Sequence, residues 1–393
     1  MRRRIVVACL WVMLLPAIGV WAIEAKGSKE KVTGKAPVKV GALFSVTGPA
    51  AWLGEPEKNT AMMLVEEINA KGGVNGHPIE LIVEDTEGDN TKAVLAAKKL
   101  ISSERVDVVI GPSRSGTTMA VVPIFQAAQV PLVSCAALAA IVEPVEERKW
   151  IFKTPQMDSD CVTRIYEHMQ GKGIKKVALI TGTTGFGKGG RDQLKKLGAK
   201  MGMEIVADKT YGPGDTNMTA QLTTIKASGA QALVNWSIVP AQSIVPKDMK
   251  KIGLAIPLYQ SHGFGNLKYV QLAGPAAEGI IFPAGPLLAA DTLPDNHPQK
   301  KLLLEYRDAY EKKYGDPAST FGGHAYDATM LVIKAIELGG PSREGIRDGL
   351  EKVKGYVGTA GIFNLSPTNH VGLDKTAFEI LTVKNGKFVL LQE

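Results

Sequence analysis

Two short stretches carry residue types at the spacing of reactive loops. GTTGFGKG at 182–189 sets Gly182, four residues, Gly187 and Lys188 directly after the apolar run KKVALIT. A phosphate-binding P-loop needs Ser or Thr next, because that hydroxyl ligates the magnesium beside the phosphates. Here the position is Gly189, which argues against nucleoside triphosphate chemistry. GPSRSG at 111–116 approaches a G-x-S-x-G nucleophile elbow, but Ser115 stands where the second glycine is required. The chain has no C-x-x-C and no H-E-x-x-H. Its histidines, at 77, 168, 262, 297, 324 and 370, are scattered, so neither a metal site nor a cofactor is expected. No nucleophile–base pair can be named, and the chain reads as a binder rather than an enzyme.

What GPSRSGTT offers instead is a seat for an anion. It follows the strand-like VDVVI and opens the helix-like TTMAVVPIFQ. The free N–H groups of a helix start, with the hydroxyls of Ser113, Ser115, Thr117 and Thr118, suit a carboxylate. A plain N-cap with spare polar residues is the alternative, and the sequence does not separate the two. GTTGFGKG lies at a second strand-to-helix turn and carries Phe186 at its tip. Its glycines fit a tight turn that brings the backbone close to a ligand, with Lys188 in solvent.

These loops must be held by a scaffold of ordinary globular composition, 393 residues with 45% apolar and 22% charged. Only the start departs from it. Arg2, Arg3 and Arg4 precede IVVACLWVMLLPAIGVWA, which ends in small residues near Ala22 and Ala25, the pattern of a secretory signal peptide over 1–25. An N-terminal membrane anchor is the rival; Pro16, Gly19 and the short span favour the signal peptide. Its removal takes three arginines and Glu24 and lowers the formal charge from +7 to +5. The remaining lysines form no long basic run, so nucleic acid is a poor partner. Cys135 and Cys161 show no framework spacing and are expected as free thiols.

After a polar linker over 26–37, short apolar runs alternate with amphipathic stretches. VKVGALFSV, PIELIVED, VDVVIG and PLVSCAA read as strands, with TAMMLVEEINA, TKAVLAAKKLIS and TTMAVVPIFQAA as helices between them. IFKTP at 151–155 breaks this rhythm, with a proline and no helix before the next break. The pattern restarts with CVTRIYEHMQ, KKVALIT and GKGGRDQLKKLGAKMG, followed by strands at MEIVADKTY, ALVNW, PLYQSH and GIIFPAG. Two long helical stretches and a hairpin through Asn385-Gly386 close the chain. Two successive βα sets predict an α/β fold of two doubly wound parallel-sheet lobes, binding at the carboxyl ends of their strands.

TGPAAWLG (47–54), INAKGGVNG (68–76), IGPSRSGTT (110–118) and VPLVSCAA (130–137) resemble the leucine/isoleucine/valine-binding proteins of bacterial ABC uptake systems. The likeness continues through YQSHGFGN (259–266), LAGPAAEGI (272–280), FGGHAYDA (321–328) and GIFNLSPTNHVG (361–372). It implies a type I periplasmic binding protein, a Venus-flytrap whose lobes are joined by three crossovers and close on a small ligand. Laid on that pattern, the lobes take 38–156 plus 286–376 and 157–285 plus 377–393. The crossovers fall at IFKTP, at GIIFPAG and near Ala377.

The resemblance also implies ligand contacts. Ser115 matches the serine that grips an α-carboxylate, Ala136 a backbone contact, and Phe186 an aromatic of the second lobe. Trp52, Leu53, Trp236, Ile238 and Phe321 fall where the side-chain pocket should lie; for the two tryptophans, ordinary packing is the alternative. Two positions depart from the family. Leu138 replaces a threonine that holds the polar head, and His262 replaces the acidic partner of the ligand's ammonium, unless His262 merely caps the next helix. A buried ammonium without a carboxylate costs several kcal/mol. These departures point to an aromatic or branched monocarboxylate without a free amine. The implied partners are membrane permease subunits, the location is the periplasm, and the protein works as a monomer. The other functional class is a sensory clamshell that closes on an amino acid or amide and signals to a partner protein.

Overall fold

The computed structural model describes residues 35–392. The signal-peptide segment, and all of the linker before Lys35, lie outside the described residues.

The alternating apolar runs form two sheets. The first contains β1 (Val38–Phe44), β2 (Ile79–Asp85), β3 (Val108–Ile110), β4 (Leu132–Ser134) and β5 (Ile151–Lys153). They lie in the order β2-β1-β3-β4-β5 and are parallel throughout. The second contains β6 (Lys176–Gly182), β7 (Glu204–Tyr211), β8 (Ala232–Trp236), β9 (Leu258–Gln260) and β10 (Ile281–Ala284). A small ribbon, β11 (Tyr356–Val357) with β12 (Ile362–Phe363), precedes the closing hairpin β13 (Glu379–Lys384) and β14 (Lys387–Leu390). That hairpin adds two antiparallel strands to the edge, giving the order β14-β13-β10-β9-β8-β6-β7. Asn385 and Gly386 turn it with φ of 53° and 71°, the left-handed pair that a two-residue hairpin loop demands.

The central strands are buried on both faces by helices and form two large hydrophobic cores, one on each sheet. Three crossovers join the two lobes. Ile151–Lys153 is the fifth strand of the first sheet rather than an interruption, and the chain crosses just after it. Gln156 Nε2 donates to the carbonyls of Ala360 (2.7 Å) and Ala377 (3.3 Å). A Cβ on Gly285 would lie 3.1 Å from the same nitrogen, so all three crossovers meet at Gln156.

The first helix also differs from its periodicity. It spans Ala51–Ala70, beginning nine residues before the expected TAMMLVEEINA. Pro56 inside it has no N–H for the carbonyl of Trp52. Asn266 Nδ2, from the loop beyond β9, takes that carbonyl at 3.2 Å across the cleft.

Candidate functional site

The carboxyl ends of both sheets face one interlobe cavity. In the first lobe, β3 runs through Gly111 and Pro112 into the helix Ser115–Ala128. In the second, β6 runs into the helix Gly185–Lys200, capped by Thr184 accepting the N–H of Gly187 at 3.2 Å. The glycines of GTTGFGKGG serve this junction. A side chain on Gly187 would strike the Gly182 carbonyl, and one on Gly190 the Trp236 indole. Lys188 is exposed. The two helix starts abut, with a Cβ on Gly185 falling 3.1 Å from the backbone nitrogen of Gly116. The two positive helix ends therefore lie side by side at the cleft, an arrangement that favours an anion.

Of the residues singled out in the sequence, Leu53, Ser113, Ser115, Ala136, Phe186, Ile238, His262 and Phe321 line this cavity. The space among its lining atoms, open solvent at the cleft mouth included, is about 340 Å³. Among the described residues the Ser115 hydroxyl makes no hydrogen bond inside the protein, although the residue is buried. Ser113 Oγ accepts the Ser45 N–H at 3.0 Å and is bonded to Glu57.

The other five residues singled out lie elsewhere. Thr117 sits in the outer cleft with its hydroxyl donating back to the Arg114 carbonyl at 2.9 Å. The Thr118 hydroxyl is likewise turned to that carbonyl, at 2.9 Å. Leu138 packs toward Gly189 at the lobe junction. Trp52 reaches across the cleft to Tyr269, ring centroids 5.3 Å apart. Trp236 is fully buried behind Phe186 and His262, at 5.5 and 5.7 Å, and supports the wall without forming it.

Cys135, Ala137, Pro155, Gly263 and His324 complete the lining. None of these five was expected, and His324 matters most. It projects from the helix Thr320–Gly339, whereas His262 follows β9 in the second lobe. Both rings are buried; His262 has neither nitrogen bonded, and His324 Nδ1 has no partner. Burial, the Lys153 charge and His324 together hold His262 well below the usual imidazole range. Burial and Lys153 bring His324 down to about 3. Lys153 itself is buried, donates to the carbonyls of Ala137 (2.6 Å) and Gln156 (3.2 Å), and is lowered by burial to about 8. Both imidazoles are thus neutral at neutral pH, each able to donate one N–H and accept at the other nitrogen. Among the described residues no Asp or Glu lines the cavity. Cys135 and Cys161 are separate buried thiols.

Two doubly wound lobes, three crossovers and a cleft between strand ends define a Venus-flytrap binding protein. Residues 37–387 match the family described as periplasmic binding protein, and the chain belongs to it, as a member of the Leu/Ile/Val-binding type. A leucine-, isoleucine-, valine-, threonine- and alanine-binding protein from Pseudomonas aeruginosa is 27% identical over 347 residues, covering 86% of each chain. An extracellular ligand-binding receptor from Rhodopseudomonas palustris HaA2 has a TM-score of 0.85 and 30% identity, covering 91% of this chain and 100% of the other. The branched-chain amino acid transporter substrate-binding protein LivJ from Streptococcus pneumoniae was solved in complex with isoleucine. It has a TM-score of 0.79 and 28% identity, again covering 91% of this chain and 100% of that one. These relatives are binding proteins, so at family level the chain is a binder and not an enzyme.

Proposed function

We propose that this protein is the extracytoplasmic substrate-binding component of a branched-chain amino acid-type ABC uptake system, closing on a small monocarboxylate that lacks a free amine. One observation carries the ligand class. Where an ammonium would need an anionic partner, the cavity offers His262 and His324, neutral and with unpaired ring nitrogens, and no carboxylate. An ammonium placed there would lose its hydration without compensation, at a cost of several kcal/mol.

The remaining walls fit an amine-free acid. The free Ser115 hydroxyl and the two abutting helix starts suit a carboxylate. Leu53, Phe186, Ile238 and Phe321 suit a flat ring or a branched alkyl group. The two imidazoles suit a second oxygen such as a keto, hydroxyl or phenol group. In this reading residues 1–25 direct export to the periplasm, the lobes are bounded as 38–156 plus 286–376 and 157–285 plus 377–393, and the closed monomer delivers its ligand to membrane permease subunits.

Calorimetric and thermal-shift titrations should compare leucine, valine and phenylalanine with benzoate, hydroxybenzoates and branched 2-oxo acids. A true ligand at 100 times its Kd should stabilise the fold by about 2.7 kcal/mol. Tight binding of leucine with no response to any amine-free acid would refute the ligand class.

A further inference from the structure

Glu57 lies in the helix Ala51–Ala70, fully buried, one layer behind the cavity wall. Its Oε2 is bonded to Ser113 Oγ, and its Oε1 is buried with no partner. Among the described residues no Lys, Arg or His pairs with it. Gly54 permits the placement, since any side chain there would strike the Ser45 backbone.

Ser113 lines the cavity, and its Oγ also accepts the Ser45 N–H at 3.0 Å. A hydroxyl has one hydrogen and two lone pairs, so counting decides what it shows the ligand. If Glu57 were ionised, the Ser113 hydrogen would be spent on the carboxylate. Ser45 would hold one lone pair, and the other would face the cavity and repel an anion. If Glu57 carries a proton, that proton fills the second lone pair and the Ser113 hydrogen is free to enter the cavity.

We propose that Glu57 is a positioning residue: as the neutral acid it donates to Ser113 Oγ and makes the Ser113 hydroxyl a donor to the ligand's carboxylate, beside Ser115. The inference rests on the carboxylate reading above. Burial without a cation pushes the Glu57 carboxyl well above the usual range, opposed only by the Ser113 bond. The titratable groups around it supply no positive charge. Cys135 interacts with it electrostatically and is itself raised by burial. His262 and His324, across the cavity, are neutral. Asp327, pushed by burial to about 7, acts on Cys135 and is bonded to Thr359 and Ala360. An anionic ligand favours the neutral acid, so affinity should fall as pH rises through the Glu57 titration.

The test compares the full chain with Glu57→Gln and Ser113→Ala, using benzoate as the probe. The glutamine amide is uncharged and can donate to Ser113. Affinity in Glu57→Gln should therefore stay within about threefold of wild type, while the fall of affinity with rising pH flattens. Ser113→Ala should lose about tenfold or more, one hydrogen bond to a charged group. Without any ligand, the wild-type minus Glu57→Gln infrared difference at neutral pH should contain the C=O stretch of a neutral carboxylic acid; the subtraction removes Asp327. Absence of that band overturns the proposal, as does a tighter grip on benzoate in Glu57→Gln, which would reveal a repelling carboxylate. If leucine binds and benzoate does not, the ligand class fails while the infrared result still stands. Leucine, itself a carboxylate, then serves as the probe in the same comparison.

Discussion

Replacing His262 with glutamate should exchange the ligand class. The His262 ring is boxed by Phe186, Trp236 and Phe378, with centroids 5.4, 5.7 and 5.6 Å away, and is almost fully buried. A carboxylate placed there points into a space already arranged for an anion. Two like charges about 5 Å apart at an effective dielectric near 20 repel by about 3 kcal/mol. Lys153, the charge that acts on His262, offsets part of this, so the net loss for an amine-free acid should be about 1.4–2.8 kcal/mol, tenfold to a hundredfold. An α-amino acid should gain by a similar factor, because its ammonium acquires a partner. The introduced carboxyl is buried, so acidification should neutralise it and return the variant toward acid binding. Calorimetry with benzoate and leucine at neutral and mildly acidic pH measures both trends. A folded His262→Glu protein whose preference is unchanged would show that position 262 does not meet the ligand's polar head.

Three further outcomes follow from the same geometry. Phe186→Ala removes the aromatic wall over Trp236 and should weaken a ring-bearing ligand about tenfold; unchanged affinity would mean that this turn does not reach the ligand. His324 is held near 3 by burial, whereas in the unfolded chain its pKa is about 6.5, so the unfolded chain takes the proton first as pH falls. Stability should be lost progressively below about pH 6.5, by up to about 1.4 kcal/mol per pH unit, and His324→Asn should show a smaller drop in Tm down to about pH 4. Asn266→Asp keeps the side-chain oxygen that accepts the Lys268 N–H but removes the donor to the Trp52 carbonyl. Loss of about 1 kcal/mol from the closed form should weaken binding about fivefold, read as a faster ligand off-rate; an unchanged off-rate would rule out this contact as a latch.

The framework was legible because alternation between short apolar runs and amphipathic stretches leaves little choice for a chain of this length. The missing hydroxyl at Gly189 excluded a P-loop from the sequence alone, and the structure gives its glycines another task, packing against Gly182 and Trp236. The second wall of the site was hidden for a different reason. His324 stands in GGHAYDATMLVIK, which reads as the face of a core helix, and its nearness to His262 arises only when two lobes meet. Glu57 was hidden by the helix start: counted from Thr60 it precedes the helix, yet Gly54 lets an earlier turn press it against Ser113. Trp236 misled in the opposite sense. Every residue of β8 is buried, so no alternation tells which side faces the cleft, and its bulk supports the pocket from behind. What a linear pattern cannot carry is the cost of leaving a buried group unpaired. Among the buried groups that keep a polar atom without a partner, His262 and His324 stand on the cavity wall and Glu57 one layer behind it. On the proposed reading, two unpaired imidazoles in the cleft, an uncompensated Glu57 behind it and no anion to receive an ammonium would make charge the first property by which this cavity sorts its ligands.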